Sequence, residues 1–259
     1  MLAIDLTGRK ALVTGGSRGI GAGIVRALAE AGAAVCFTYS GSQRGAEAAS
    51  QLVDQLAAEG AQVFPMVARA EDMEAMEQAA REAAERMGGL DIIVPNVGMN
   101  WVAPLEQLDL ASWERSMKLN LTSAYIAAKV TLPYLEQAAR GDIVIIGSSA
   151  AVDGGGGSAH YAAAKAGLEG MMYALMRELP RKGIHINVVH PCVVDTDLLR
   201  ERYDTEEKRA ALAAQVPIGR ISTVQDIGAL VAFLCSELGG FICGQSILVD
   251  GGRTLWRGK

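Results

Sequence analysis

The stretch VTGGSRGIGAG, residues 13–23, constrains this chain more than any other. It follows the apolar run KALV and leads straight into GIGAGIVRALAE, which has helical spacing. A strand that turns into a helix through glycines frees main-chain amides at a helix N-terminus and lets an anion approach closely. Gly15, Gly19 and Gly21 are placed for that role, with Ser17, Arg18 and Ile20 between them. Glycine also serves tight strand-to-helix turns, so the turn alone is weak evidence. Its position is informative, because it joins the first strand to the first helix of a β-α-β unit, the context a dinucleotide-binding turn requires.

The rest of the chain repeats that alternation. KALVTG (10–15), AAVCFTY (33–39), AQVFPMV (61–67), LDIIVP (90–95), GDIVIIGS (141–148), IHINVVH (184–190) and QSILVD (245–250) read as strands. They are apolar on both faces, as parallel strands between two helical layers must be. Stretches rich in Ala, Glu and Leu separate them, so the expected class is α/β, a doubly wound parallel sheet (Rossmann fold). No Pro/Ser-rich linker or internal repeat divides residues 1–259, which predicts a single domain with a small helical, substrate-side lobe at 195–217.

Charge and composition exclude several classes. A net charge of −5 and a pI of about 5.3 argue against a nucleic-acid surface, which needs clustered Lys and Arg. No run of eighteen apolar residues appears, and the N-terminus enters a strand without a signal-peptide pattern, so no membrane association and a cytoplasmic location are expected. Cys36, Cys192, Cys235 and Cys243 form no C-x-x-C pair and are expected to be free thiols. His160, His185 and His190 have no spacing typical of a metal site, and no metal is expected.

In YAAAKAG (161–167), Tyr161 stands four residues before Lys165, so the two share a helix face. A phenol is a poor base at neutral pH, and a nearby ammonium is expected to lower its pKa. Such a pair suits proton exchange with an alcohol oxygen. Ser148 ends the fifth strand, on the side where such sheets bind ligands, and can hold the same oxygen.

The ordered series TGGSRGIG, PNVG, KLNL, IGSS, YAAAK, HPCVVDTD and ILVDGG resembles the short-chain dehydrogenase/reductase family over essentially the whole chain. The resemblance implies hydride transfer between a nicotinamide and a substrate carbon, with Tyr161 moving the proton and Ser148 orienting the oxygen. It also implies that Lys165 holds the nicotinamide ribose and that Asn120, in MKLNL, completes a tetrad through a water-linked proton relay. Tyr161, Lys165, Asn96, Gly98, Pro191, Val194 and Thr196 are then further cofactor contacts.

NAD-binding folds usually carry a carboxylate after the second strand. Here that strand ends in Tyr39, followed by Ser40, Ser42 and Arg44. With Arg18 in the glycine turn, two arginines can clamp a 2′-phosphate, which favours NADP over NAD without excluding NAD. Three motifs depart from the family. Pro95 and Val97 stand in PNVG, Arg69 replaces an acidic residue beside adenine, and Cys192 follows Pro191 where glycine is usual.

Asn100, Trp101, the four glycines 154–157 and the 195–217 lobe are expected to border the substrate. Asn100, Ser148, Gly155 and His160 are the candidate substrate contacts. Polar Asn100, Asp153 and His160 favour a sugar or polyol hydroxyl. The same stretches resemble sugar 1-dehydrogenases and 3-oxoacyl-carrier-protein reductases, so a ketone or 3-oxoacyl thioester is the alternative. A nucleotide-binding regulator without turnover is the reading from another class, and the intact tetrad argues against it. Residues 158–179 and 224–238 are apolar along one face, Met171, Met172 and Leu175 widen the first stripe beyond it, and Ala162, Ala166 and Gly170 recur every fourth residue. A homotetramer with two-fold interfaces is expected.

Overall fold

The computed structural model describes residues 3–255. Seven parallel strands form one sheet: β1 (Lys10–Val13), β2 (Ala34–Tyr39), β3 (Val63–Val67), β4 (Ile92–Val94), β5 (Gly141–Ile146), β6 (Ile184–Pro191) and β7 (Ser246–Val249). Their order, β3-β2-β1-β4-β5-β6-β7, reverses direction between β1 and β4. That reversal opens a crevice at the carboxyl ends of these strands, the place where such sheets bind ligands. Pro65 lies in β3, at the sheet edge, where a missing N–H is tolerated.

The two-residue period of the strands sorts their side chains into two cores. Ala11, Val13, Val35, Phe37, Ile92, Val94, Val144 and Ile146 face one way, and Leu12, Cys36, Ile93, Ile143 and Ile145 the other. The first core is covered by α1 (Gly19–Glu30), α2 (Gln43–Ala58) and a late helix at 224–235. The second is covered by α3 (Met73–Met87) and two helices near 123–135 and 159–175. In chain order the remaining helices are α4 (Leu110–Met117), α5 (Ser123–Leu135), α6 (Ala150–Asp153), α7 (Ala159–Leu175), α8 (Asp197–Arg202), α9 (Glu206–Ala213) and α10 (Val224–Cys235).

A π-helical turn, Lys118–Thr122, joins α4 to α5. The 195–217 segment folds as α8 and α9, a lobe beyond the carboxyl end of β6. Among the described residues no helix is long and apolar enough to cross a membrane. All four cysteines are free.

Candidate active site

The glycine turn is held open from below. Gly15 and Gly19 have φ of +66° and +56°, conformations only glycine adopts without strain. A side chain at Gly21 would put its Cβ 2.2 Å from the Gly15 carbonyl, so helix and strand meet here only without one. The side chain of Asn96 donates to the carbonyls of Thr14 and Gly15, at 3.0 and 3.2 Å. Thr14 Oγ1 accepts from the amide of Asn96 at 3.0 Å. Thr38 Oγ1 accepts from Gly15 N–H at 3.4 Å. Thr14 and Thr38 were not among the expected site residues. Their signal was a hydroxyl beside a glycine turn, which is common enough to pass unnoticed.

Whether these residues fit a nicotinamide dinucleotide can be tested on the donor set. The N-terminus of α1 has no side-chain cap and no acidic residue in its first turn. In contrast α2, α3, α4, α8, α9 and α10 are each capped by a side chain. Arg18 is exposed and makes no ion pair among the described residues, so the amides and the guanidinium together suit a phosphate. Thr196, the cap of α8, lies near Gly19, so the lobe borders the turn. Ile20 is partly buried against the first core, and Pro191 and Val194 are buried along the path from β6 to α8. These residues fit the group.

The adenosine end differs in detail from expectation. Ser42 caps α2 by accepting from Gly45 N–H at 3.2 Å, Tyr39 is partly buried beside it, and Ser40 is exposed. Arg44 is turned toward α8, with Glu201 at 2.9 Å and Asp197 at 3.6 Å. Arg44 and Arg18 therefore enter the site on different terms. Ser17 is buried within the turn. Arg69 is exposed and bonds Glu71. Val97 leans on the turn, 2.9 Å from where a Cβ of Gly15 would stand.

At the other end four expected side chains come together. Tyr161 and Lys165 stand one turn apart on α7, with the Lys165 ammonium 5.8 Å from the phenol ring centre. Ser148 Oγ accepts from Ala150 N–H at 3.2 Å and lies near the Tyr161 hydroxyl. Lys165 is 2% exposed and donates to the Ile146 carbonyl at 3.0 Å. Gly98 packs between Lys165 and Asn120, since a Cβ there would lie 2.8 Å from Asn120 Oδ1 and 3.0 Å from Lys165 Nζ.

One expectation about this end needs correction. Lys165 was expected to lower the Tyr161 pKa. Instead burial raises it, and only the Ser148 hydroxyl opposes. The ammonium, 5.8 Å from the ring centre and bonded to the Ile146 carbonyl, does not outweigh the desolvation. Lys165 itself is pushed down to about 8 by burial. The side chain of Asn120 is also fully engaged: Oδ1 accepts from Met99 N–H, and Nδ2 donates to Met99 O and to Ser116. It pins the segment 98–100.

His160 is likewise corrected from a substrate contact to a core residue. It is fully buried, stacks on Trp101 with centroids 4.7 Å apart, and bonds Ser116 Oγ at 2.8 Å and the Trp101 carbonyl at 3.1 Å. Asp153 accepts from Gly155 N–H within its own loop. Asn100 holds the glycine loop by donating to Gly156 O at 3.1 Å, which leaves its buried Oδ1 without a partner. Gly156 lies beside Tyr161, so that atom belongs to the wall near the phenol.

Comparison with known proteins agrees with this geometry. Residues 15–254 match a family model described as enoyl-(acyl carrier protein) reductase. The chain is 37% identical to the 3-oxoacyl-(acyl-carrier-protein) reductase FabG of Escherichia coli K12, over 97% of this chain and all of that protein. It is 33% identical to an L-rhamnose 1-dehydrogenase (NAD(P)(+)) of Azotobacter vinelandii, over 97% of this chain and 98% of that one. A solved blue fluorescent protein from a metagenomic library, in complex with NADPH, superposes with a TM-score of 0.87 at 38% identity, covering 96% and 99% of the two chains.

Proposed function

The chain belongs to the short-chain dehydrogenase/reductase family, a family of oxidoreductases, and from that premise we propose that it interconverts a secondary alcohol and its ketone using NADP in preference to NAD. The observation that carries this reading is the convergence of Ser148, Tyr161 and Lys165 at the carboxyl end of β5. A nicotinamide bound along the glycine turn would supply or accept the hydride. The turn's amides and Arg18 would hold its phosphates, with Thr196 beside the turn and Lys165 at the reaction end.

The chain's own residues handle the proton. With its pKa raised, Tyr161 is a phenol at neutral pH and is a donor to a carbonyl oxygen. Ser148 shares that oxygen and fixes its direction. Below about pH 8 Lys165 is an ammonium beside the phenol ring, ready to stabilise the phenolate left after donation. Asn120 keeps Gly98 and Met99 against the lysine.

A sugar or polyol hydroxyl is the favoured substrate, on the polar Asn100 that holds the glycine loop beside Tyr161. The second reading, a 3-oxoacyl thioester or other ketone, is favoured by exposed Met99, Val102 and Val152 on the same bordering segments. A spectrophotometric screen of NADPH and NADP with sugars, polyols, ketones and 3-oxoacyl thioesters decides between them. Nucleotide binding with no turnover on any class would instead favour a regulator.

We place the enzyme in the cytoplasm, where its four free thiols stay reduced. The homotetramer expectation draws support from α7, where Ala166 and Gly170 are exposed and a Cβ at Gly170 would meet nothing within 4 Å. Light scattering should give about 110 kDa, four times the 27.2 kDa chain. A particle near 27 kDa at micromolar concentration would refute the assembly.

A further inference from the structure

His190 lies in β6, next to the strand end that carries Ser148, and is fully buried. Its Nδ1 is 3.0 Å from the Ser148 nitrogen and 2.8 Å from the Ser148 carbonyl oxygen. The ring comes this close because residue 147 is glycine: a Cβ there would stand 2.4 Å from Nδ1. On the far side, Glu169 Oε1 lies 3.0 Å from Nε2, off the line of a hydrogen bond. Glu169 is one turn beyond Lys165 on α7, and Ser246 Oγ of β7 donates to it. None of this was expected from sequence, where His190 was only one of three scattered histidines.

We infer that His190 is a positioning residue for Ser148, its imidazole gripping the Ser148 main chain from behind with Glu169 as backstop. The Glu169 carboxylate beside Nε2 selects the tautomer that carries its proton there. With the proton on Nε2, directed at Glu169, Nδ1 accepts from Ser148 N–H. With the proton on Nδ1, the ring donates to Ser148 O. The first of these holds the amide whose exchange reads it, and with it the main chain that orients the Ser148 hydroxyl. Burial lowers the His190 pKa, against the Ser148 carbonyl and Glu169, which raise it, so the ring is neutral at pH 7.

The test compares two substitutions. His190→Asn keeps a polar amide at the reach of Nδ1, whereas His190→Leu keeps apolar bulk and loses both ring nitrogens. Amide hydrogen exchange at Ser148, followed by NMR, should quicken roughly tenfold in H190L and stay near wild type in H190N. Turnover of acetoacetyl-coenzyme A and of L-rhamnose is read in parallel. There H190L should lose roughly tenfold to a hundredfold in kcat, because small misplacements cost that much. KM for NADPH should stay within about twofold, and H190N should recover most of kcat.

A packing role predicts the reverse order, with H190L tolerated and H190N impaired, and that order overturns the inference. So does wild-type exchange at Ser148 in H190L. Should H190L fail to fold, H190N alone decides, by keeping or losing the protection of Ser148. The kinetic arm rests on the functional reading above, but the exchange arm does not. A wild type that turns over neither probe counts against that reading and leaves exchange to judge His190.

Discussion

At the Tyr161 end of the crevice, Lys165 is 2% exposed, Asn120 1%, and His160 and His190 are sealed, each with a polar partner from the chain itself. At the adenosine end Arg18, Arg44 and Arg69 stand in solvent, and Arg44 and Arg69 are taken up by surface carboxylates. The contrast is physical. Buried polar groups persist only when satisfied, so altering one strands another. Exposed ion pairs are each worth little and exchange partners easily. The reaction end therefore tolerates little change, while nucleotide choice rests on contacts that shift without disturbing the chemistry. The departures at Arg69 and Val97 from the family pattern fall toward the nucleotide end.

The largest effect should come from Lys165→Met. It removes a buried charge at nearly constant volume, so stability should hold or rise while kcat falls about a thousandfold. Thermal melting beside steady-state kinetics checks both halves, and a stable variant with near-normal kcat would break the contrast. Next is Gly98→Ala, whose new methyl would press on Asn120 Oδ1 and Lys165 Nζ. It should cost about a hundredfold in kcat.

At the nucleotide end, Arg18→Ala should raise KM for NADP roughly tenfold to a hundredfold and leave KM for NAD nearly unchanged. Arg44→Ala should do less, because the guanidinium must first leave Glu201. Equal effects of either variant on both nucleotides would remove the phosphate clamp.

The smallest effect is a pH dependence. The profile of kcat/KM reports the free enzyme. Lys165, lowered to about 8, loses its proton as pH rises through that value. Ketone reduction should therefore decline by roughly tenfold per unit above it. A flat profile to high pH would show that the ammonium is not needed.

The strands and the glycine turn were legible because burial on both faces and positive φ each restrict residue choice. Tyr161 with Lys165 was legible as an i, i+4 pair on a helix, and Ser148 as the end of a strand. What was not legible depends on contacts between distant segments. Nothing in the spacing of His160 shows that it stacks on Trp101 and bonds Ser116, and nothing near His190 shows that it meets Ser148. The direction of the Tyr161 pKa shift was misjudged for the same reason. Proximity to Lys165 can be read along a helix, but the burial that outweighs it cannot. Arg44 was visible as a cation after β2, while its carboxylate partners came from a helix more than a hundred residues on.

The most direct test of the central claim is Tyr161→Phe, with NADPH Kd and kcat measured on the same preparation. Only the transferable proton is removed, so Kd should stay within about twofold while kcat falls at least about a hundredfold. Near-wild-type kcat in a folded, NADPH-binding Y161F protein would contradict the assignment of the proton to Tyr161 and with it the account of the reaction end.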